Sequence, residues 1–229
     1  MALAPWIFAP QCAACGAPTD APLCPACAVS LAEVGPACPR CAEPTGPRPL
    51  VCARCIRAPL PLERIVAPWR FGGELASAIR RLKFTGASHV ARAVAPLWAP
   101  VLAAALFEAG PGAIVVPVPL HWRRRFMRGY DHAWLLALHA CAAAGLAPPV
   151  AALRRIRAAP PQSTLPAAER RANLRGAFAL RRGSTLTVPV VLVDDVVTTG
   201  ATLAAAARPL LAAGCPRVFG VALARSADG

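Results

Sequence analysis

Four CxxC knuckles ahead of Ile56 constrain this chain more than any other feature. Cys12 with Cys15, Cys24 with Cys27, Cys38 with Cys41 and Cys52 with Cys55 account for eight of its ten cysteines. Each knuckle can close on one metal ion across a tight turn, so four of them supply eight soft thiolate ligands, enough for two tetrahedral sites. Met1 to Pro10 has no basic residue ahead of its apolar segment and makes a poor signal peptide. The thiols are therefore expected in a reducing, cytoplasmic setting, as metal ligands and not disulfides. Zinc with four protein ligands keeps no open position for water, so two structural zinc ions are expected. Sequential pairing of the knuckles closes short loops, whereas interleaved pairing gives spacings slightly longer than a usual ribbon, and the sequential arrangement is preferred. Residues 1–61 hold too little core to fold unaided, so this double zinc ribbon should draw its stability from metal. Pro59-Leu60-Pro61 reads as the linker to a second domain over 62–229.

The second constraint lies near the other end, in Val188 to Leu203. Val188 to Val193 is apolar on both alternating faces apart from Pro189, as a parallel strand covered on both sides requires. Asp194 and Asp195 sit at its C-terminal end. Thr198, Thr199, Gly200, Ala201 and Thr202 follow, small residues whose hydroxyls and amides can surround an anion, with Gly200 free to take a positive φ and an Ala-rich helix opening at Leu203. Two carboxylates beside a phosphate cradle would repel a bare phosphate tail. A sugar whose 2′- and 3′-hydroxyls donate to them resolves the conflict, so the expected ligand is a ribose 5-phosphate. A P-loop ATPase would need Gly-Lys-Ser/Thr, and the chain's single lysine, Lys83, lies in Arg81-Leu82-Lys83-Phe84. The run Val191 to Thr202 resembles the phosphoribosyl pyrophosphate (PRPP) loop of type I phosphoribosyltransferases. That resemblance implies PRPP contacts from Val193, Asp194, Asp195, Val196, Val197, Thr198, Thr199, Gly200, Ala201 and Thr202, with Asp194 and Asp195 as the catalytic carboxylates.

Composition narrows the remaining classes. Of 229 residues, 56% are hydrophobic, which raises the possibility of a membrane span. The longest charge-free helical run, Ala93 to Phe107, holds Pro96 and Pro100 and falls short of the roughly 20 residues a bilayer needs, so no membrane insertion is expected. The formal net charge of +14 is carried almost wholly by arginine, which suits polyanions but also follows from an Arg-, Ala- and Pro-rich composition. Beyond Glu108 the acids are Asp131, Glu169, Asp194, Asp195 and Asp228. An adjacent pair in so acid-poor a segment is poorly explained as surface decoration.

Taken in order after the linker, Arg64 to Phe71 reads as a strand and Glu74 to Phe84 as an amphipathic helix. Ser88 to Glu108 reads as a second helix and Ile114 to Leu120 as a short buried strand. His121 to His132 interleaves Arg123, Arg124, Arg125 and Arg128 with Trp122, Phe126 and Tyr130. That pattern suits pyrophosphate or a nucleic-acid single strand, with Trp122 and Arg123 to Arg125 as the nucleic-acid contacts, and equally a solvated basic loop. His121 and His132 are candidate proton donors or simply helix-flanking polar residues. Cys141 and Cys215 read as core thiols. Leu153 to Phe178, rich in Pro and Arg, reads as a mobile basic flap between two strands. Strands near Phe178 to Leu180, Val188 to Val193 and Val218 to Leu223 complete a parallel α/β sheet with helices on both faces, which the resemblance of the loop implies is of the type I phosphoribosyltransferase kind.

Across nearly its whole length the chain resembles the ComF family of competence-associated, phosphoribosyltransferase-like proteins. The resemblance rests on the double ribbon, Leu82-Lys83-Phe84-Thr85-Gly86, Pro117-Val118-Pro119-Leu120, Arg128-Gly129-Tyr130-Asp131-His132-Ala133, Pro161-Gln162-Ser163, Glu169-Arg170-Arg171-Ala172-Asn173-Leu174 and the PRPP loop. Where the family commonly shows Arg-Gly-Phe-Asn-Gln, this chain has Arg128-Gly129-Tyr130-Asp131-His132, so roles of that Asn or Gln do not transfer. The resemblance implies PRPP with Mg²⁺ as ligand, Pro119 and Arg128 among its contacts, and single-stranded DNA and the DNA-uptake helicase machinery as partners in natural transformation. Two classes of function stand side by side, a phosphoribosyl (glycosyl) transferase and a PRPP-regulated binding module. The ligand site is expected to be built wholly outside the ribbon and to survive its loss.

Overall fold

In a computed structural model that describes residues 10–157, 174–183 and 186–226, the chain is built on a parallel sheet. Its central strand is Val190–Val197, designated β6, paired on one side with β3 (Ile114–Pro117) and on the other with β7 (Val218–Arg225). Two short segments, β1 (Ile65–Val66) and β2 (Trp69–Arg70), pair one after the other along the free edge of β7. The expected strand over Arg64 to Phe71 is thus divided, and Ala67-Pro68 lies between the halves, where proline has no N–H for a ladder bond.

Why these strands read as unbroken apolar runs is plain from the packing. Val191, Val193, Phe219, Val221 and Leu223 face one hydrophobic cluster, formed with α3 (Gly73–Phe84), α4 (His89–Ala109) and α6 (His132–Ala143). Val190, Leu192, Val218 and Ala222 face another, built with α7 (Ala201–Ala212) and with β4 (Leu153–Arg155) and β5 (Phe178–Leu180). Alternate residues enter opposite cores, so both must be apolar. The core thiols Cys141 and Cys215 are buried as expected.

Four expectations need correction or restriction. The Phe178–Leu180 strand pairs antiparallel with β4 in a separate two-stranded sheet, because its partner is the strand leading into the Arg-rich segment and not the main sheet. Of the expected flap, residues 158–173 lie outside the described residues. Helix α4 runs from His89 to Ala109 through Pro96 and Pro100 and is long and apolar enough to cross a membrane by length and composition. It buries Val94, Trp98, Leu102 and Ala105 against the sheet and α6, a stripe at helical spacing.

The fourth restriction concerns the ribbon, which is expected to stand apart from the ligand site and carries two short helices, α1 (Pro25–Val29) and α2 (Ala53–Arg57). It is docked on the sheet. The Arg70 amide donates to Ala32 O (2.7 Å), the Val34 amide to Pro68 O (3.0 Å) and the Ile65 amide to Arg40 O (3.0 Å). Cys12, Ala13, Leu23 and Cys27 share the core of Leu75 and Ile79, and Arg81 donates to the Cys12 carbonyl at 2.9 Å. The ribbon thereby covers part of the β1/β2 edge, which would otherwise present unpaired backbone groups.

Candidate functional site

The knuckles pair sequentially. Cys12, Cys15, Cys24 and Cys27 bring their sulfurs together, as do Cys38, Cys41, Cys52 and Cys55, with the ligand atoms of each group within 4.8 Å of one another. Cys15 Sγ and Cys24 Sγ are 3.8 Å apart, and Cys41 Sγ and Cys52 Sγ 3.6 Å. A tetrahedron with Zn–S bonds of about 2.3 Å has edges of about 3.8 Å, so the donors fit the ion. Burial alone would raise the Cys12 thiol, yet the amides of Cys15, Cys24 and Ala14 bring it down to about 6. Cys27 is pushed up by burial and by the thiols around it. Thiolates so crowded ionise together only around a cation. Two structural zinc ions match both clusters. Arg54 Nη2 lies 3.6 Å from Cys41 Sγ and 2.9 Å from Glu43 Oε2, and Glu43 also pairs with Arg225, buried at the end of β7. The second cluster is thus wired to the sheet.

The acidic pair sits where the sheet opens. Strand β3 stays in register with β6 only as far as Pro117 opposite Val193, and the Val118 amide donates to Val193 O at 2.8 Å. On the other side β7 continues to Val197 opposite Arg225. Asp194 and Asp195 therefore lie inside a strand whose β3 side has parted, with the carboxyl ends of the parallel strands, where α/β folds place ligands. The sequence expectation ended the strand at Val193. The strand continues because pairing with β7 depends on backbone, not on apolar side chains.

Charges converge on Asp195 from separate elements. Lys83, in the last turn of α3, forms an ion pair with Asp195 Oδ2. His132, in the first turn of α6, places Nε2 3.6 Å from Asp195 Oδ1, and Arg128 Nη1 lies 3.2 Å from His132 Nδ1. Burial would raise the Asp195 pKa, but Lys83 and then His132 hold it well below the usual carboxylate range. Asp194 moves the opposite way, raised by burial and by the Asp195 charge, while Asp194 Oδ1 accepts the Asp195 amide at 2.9 Å. One carboxyl is held ionised and its neighbour is inclined to keep a proton, a split common in functional sites. His132, Asp194 and Asp195 also bring ligand atoms within 4.8 Å of one another, and the Lys83 ammonium is in direct contact with that cluster.

The turn beyond the pair has the geometry its residues suggest. Gly200 takes φ 77° as the residue preceding α7, and its carbonyl accepts from the Ala204 amide at 2.9 Å. Thr199 Oγ1 accepts from the Ala201 amide at 3.3 Å. A Cβ on Gly200 would lie 2.9 Å from Ile65 Cδ1 and 3.0 Å from Leu60 Cδ1, so the turn rests on the linker and β1. The expected linker residue Leu60 is thus a support of the turn, held by Arg40 Nη2, which donates to the Leu60 and Leu62 carbonyls.

His121 to Tyr130 is ordered as α5 (Trp122–Arg128), which ends at Gly129 with φ 78°. Trp122, Phe126 and Met127 are exposed, Arg123 stacks over the Trp122 ring at 5.3 Å, and Trp122, Arg125, Phe126 and Gly129 line an open depression of about 540 Å³. Arg124 is half-buried and Arg123 and Arg125 are exposed. Asp131 caps α6, accepting from the Ala133 and Trp134 amides, and also accepts from the Leu120 amide at 2.8 Å. Pro119 lines a separate cavity of about 280 Å³ with Arg125, Tyr130 and Arg181. Neither Asp194 nor Asp195 lines either cavity; Arg128 reaches the acidic pair through His132.

Sequence reasoning missed Lys83 as a partner of the pair and left His132 undecided. The available signal was the lone lysine in a chain whose other strong cations are all arginine.

A double zinc ribbon docked on a doubly covered parallel sheet, with an acid-bearing central strand feeding a Thr-rich turn, defines the class. The comparisons agree. A double zinc ribbon domain model matches residues 3–56. The DNA utilization protein YhgH of Salmonella typhi is 35% identical over 171 residues, covering 71% of this chain and 72% of the relative. YhgH of Escherichia coli strain K12 is 34% identical over the same length and shares. Competence protein F of Haemophilus influenzae is 36% identical over 91 residues, 39% of this chain and 40% of the relative. The chain belongs to the ComF family.

Proposed function

We propose that this protein binds PRPP as a phosphoribosyltransferase-like protein and assists the uptake or processing of DNA in natural transformation. The observation that carries the ligand reading is the continuous path from Asp194 and Asp195 through Thr198 to Thr202 into α7, on the strand whose β3 side has parted. Asp194 and Asp195 accept from the ribose hydroxyls. The hydroxyls and amides of Thr198, Thr199, Gly200, Ala201 and Thr202, with the helix N-terminus, take the 5-phosphate. Mg²⁺ arrives with the ligand, where it would neutralise pyrophosphate oxygens. In turnover the C1–pyrophosphate bond breaks through an oxocarbenium-like state as a nucleophile bonds to C1, and Arg128 takes leaving-group charge. The DNA reading draws support from relatives named for DNA utilization and competence.

A second reading is favoured by α5. The stacked Arg123 and Trp122 pair and the exposed Phe126 suit bases and phosphates of a single strand, which would make PRPP a regulator of a binding module and not a substrate. Calorimetric titration of PRPP with Mg²⁺ tests the ligand site. Wild type is expected to bind and Asp194→Asn/Asp195→Asn to lose most of that affinity, a ribose hydrogen bond to the ionised Asp195 alone contributing on the order of 1.5 to 3 kcal/mol. Absence of PRPP binding by the zinc-loaded wild type overturns the site. Pyrophosphate release, abolished in the double variant, selects the transferase reading; tight binding without turnover selects the module.

A further inference from the structure

Asp195 has a side chain 5% exposed, and three elements bring basic side chains toward it. Lys83 comes from α3 and His132 from α6. Arg128, from α5, acts through His132. Among the described residues, Asp194 on β6 adjoins Asp195, and Arg155 on β4 acts on Asp194. Among the described residues, Lys83 alone combines direct ion-pair contact with Asp195 and partial exposure, its side chain being 24% exposed.

A lysine stem is ordinarily free to wander, but this one starts from a pinned segment. The Tyr130 hydroxyl donates to the carbonyl of Leu82, and the Arg128 guanidinium lies 5.0 Å from the Phe84 ring centre. The residues on either side of Lys83 are thus fastened to the α5–α6 turn that also presents His132. The two oxygens of Asp195 are approached by different partners, the ammonium at Oδ2 and the imidazole at Oδ1. A carboxylate fixed at both oxygens has one orientation, and each oxygen keeps a further lone pair for another donor.

Resting on the PRPP-site reading, we propose that Lys83 is a positioning residue of that site, an internal cation that fixes the Asp195 carboxylate for a vicinal diol and so makes the protein selective for ribose phosphates over 2-deoxyribose phosphates. Lys83 supplies the charge that a divalent cation would otherwise bring to this cluster, so diol recognition at Asp195 needs no metal. Removing the ammonium leaves a buried carboxylate that must turn, neutralise or draw in water, and each of these spoils its aim at a sugar hydroxyl.

The test is calorimetric binding of ribose 5-phosphate, 2-deoxyribose 5-phosphate and inorganic phosphate to the zinc-loaded full chain in the presence of a magnesium-selective chelator. Wild type is expected to prefer the ribose compound by about 10-fold or more, the scale of one charged hydrogen bond. Lys83→Met should erase that preference while leaving inorganic phosphate binding unchanged, and Lys83→Arg, which restores the charge, should recover most of it. Where Lys83→Met does not fold, Lys83→Gln carries the same expectation. Wild-type selectivity that persists in the uncharged variant overturns the role of Lys83 and spares the PRPP site. A ribose preference that appears only when magnesium is added overturns the metal-free recognition. Failure of wild type to bind either PRPP or ribose 5-phosphate removes the site and this inference together.

Discussion

The ribbon and the carboxylate site gather their key groups in opposite ways. Each zinc cluster is assembled from two neighbouring knuckles, so its ligands come from one short piece of chain. The carboxylate site is assembled across the fold: Asp195 on β6 meets Lys83 from the end of α3 and His132 from the start of α6. The difference teaches what each can do. A local thiolate site folds with its metal and then serves as a fixed body. A site assembled from distant elements holds its charges in place only as well as the surrounding packing does, and here part of that packing is the ribbon.

The largest effect should come from breaking the separation between the two regions. Metal binding in isolated zinc modules contributes on the order of 10 kcal/mol of folding free energy, so chelation or Cys38→Ser is expected to unfold the second ribbon half. Leu60 supports Gly200, Arg40 holds the Leu60 and Leu62 carbonyls, and Glu43 pairs with Arg225. Disruption should therefore spread to the Thr198–Thr202 turn. Hydrogen exchange is the readout: amides near Leu60 to Val66 and Val197 to Ala204 should lose protection on chelation. Elemental analysis should return about two zinc ions per chain before it. Unchanged protection of the turn in metal-free protein would restore the separable ligand site that the sequence suggests.

Gly200→Val approaches the same junction from the other side and ranks next. It imposes a β-branched residue at φ 77° and drives a Cβ to 2.9 Å from Ile65 Cδ1, for a cost of roughly 3 kcal/mol or more. Denaturant unfolding should show this loss, and PRPP affinity should fall with it. The α5 surface is a smaller lever. Replacing Arg123, Arg124 and Arg125 by Ala should flatten the salt dependence of single-stranded DNA binding, by about 0.7 in log–log slope for each phosphate that is no longer neutralised, with the fold intact as judged by melting. An unchanged slope would assign these arginines to composition alone.

What could be read from the sequence follows the same division. Knuckle spacing is short range, so the ribbon and its sequential clusters were legible. The acid pair and the Thr-rich turn are contiguous, so their order was legible too, as was the covered parallel strand that precedes them. The Lys83 to Asp195 ion pair joins residues far apart in the chain, and no periodicity in either segment encodes it. The docking of Ala32 and Val34 on the β1/β2 edge is carried by backbone amides and carbonyls, to which side-chain identity contributes little. Phe178–Leu180 reads as a sheet strand by residue type, and only the position of β4 decides that its partner lies outside the main sheet.

The smallest expected effect sharpens the comparison most, because it asks whether the carboxylate site is arranged for stability or against it. The Asp194 pKa is raised by burial and by the ionised Asp195 beside it. The unfolded chain releases that proton near the ordinary aspartate value of about 3.9, while the folded chain retains it to higher pH. Stability attributable to Asp194 is therefore greatest in acid and falls as pH rises from the unfolded value toward the folded one. Asp195, depressed by Lys83 and His132 against the effect of burial, has the opposite sign: its contribution is present above about pH 3.9 and is lost as pH falls toward its folded value. Asp194→Asn removes only the first of these. Near neutral pH it should raise the melting temperature by a few degrees, and the gain should vanish below about pH 4. Thermal melts of both proteins between pH 4 and 8 measure it. A gain near neutrality accompanied by loss of PRPP binding would mark Asp194 as a group held at the expense of stability for its ligand. A loss of stability at every pH would mean that the hydrogen bond from the Asp195 amide to Asp194 outweighs the cost of two adjacent carboxylates.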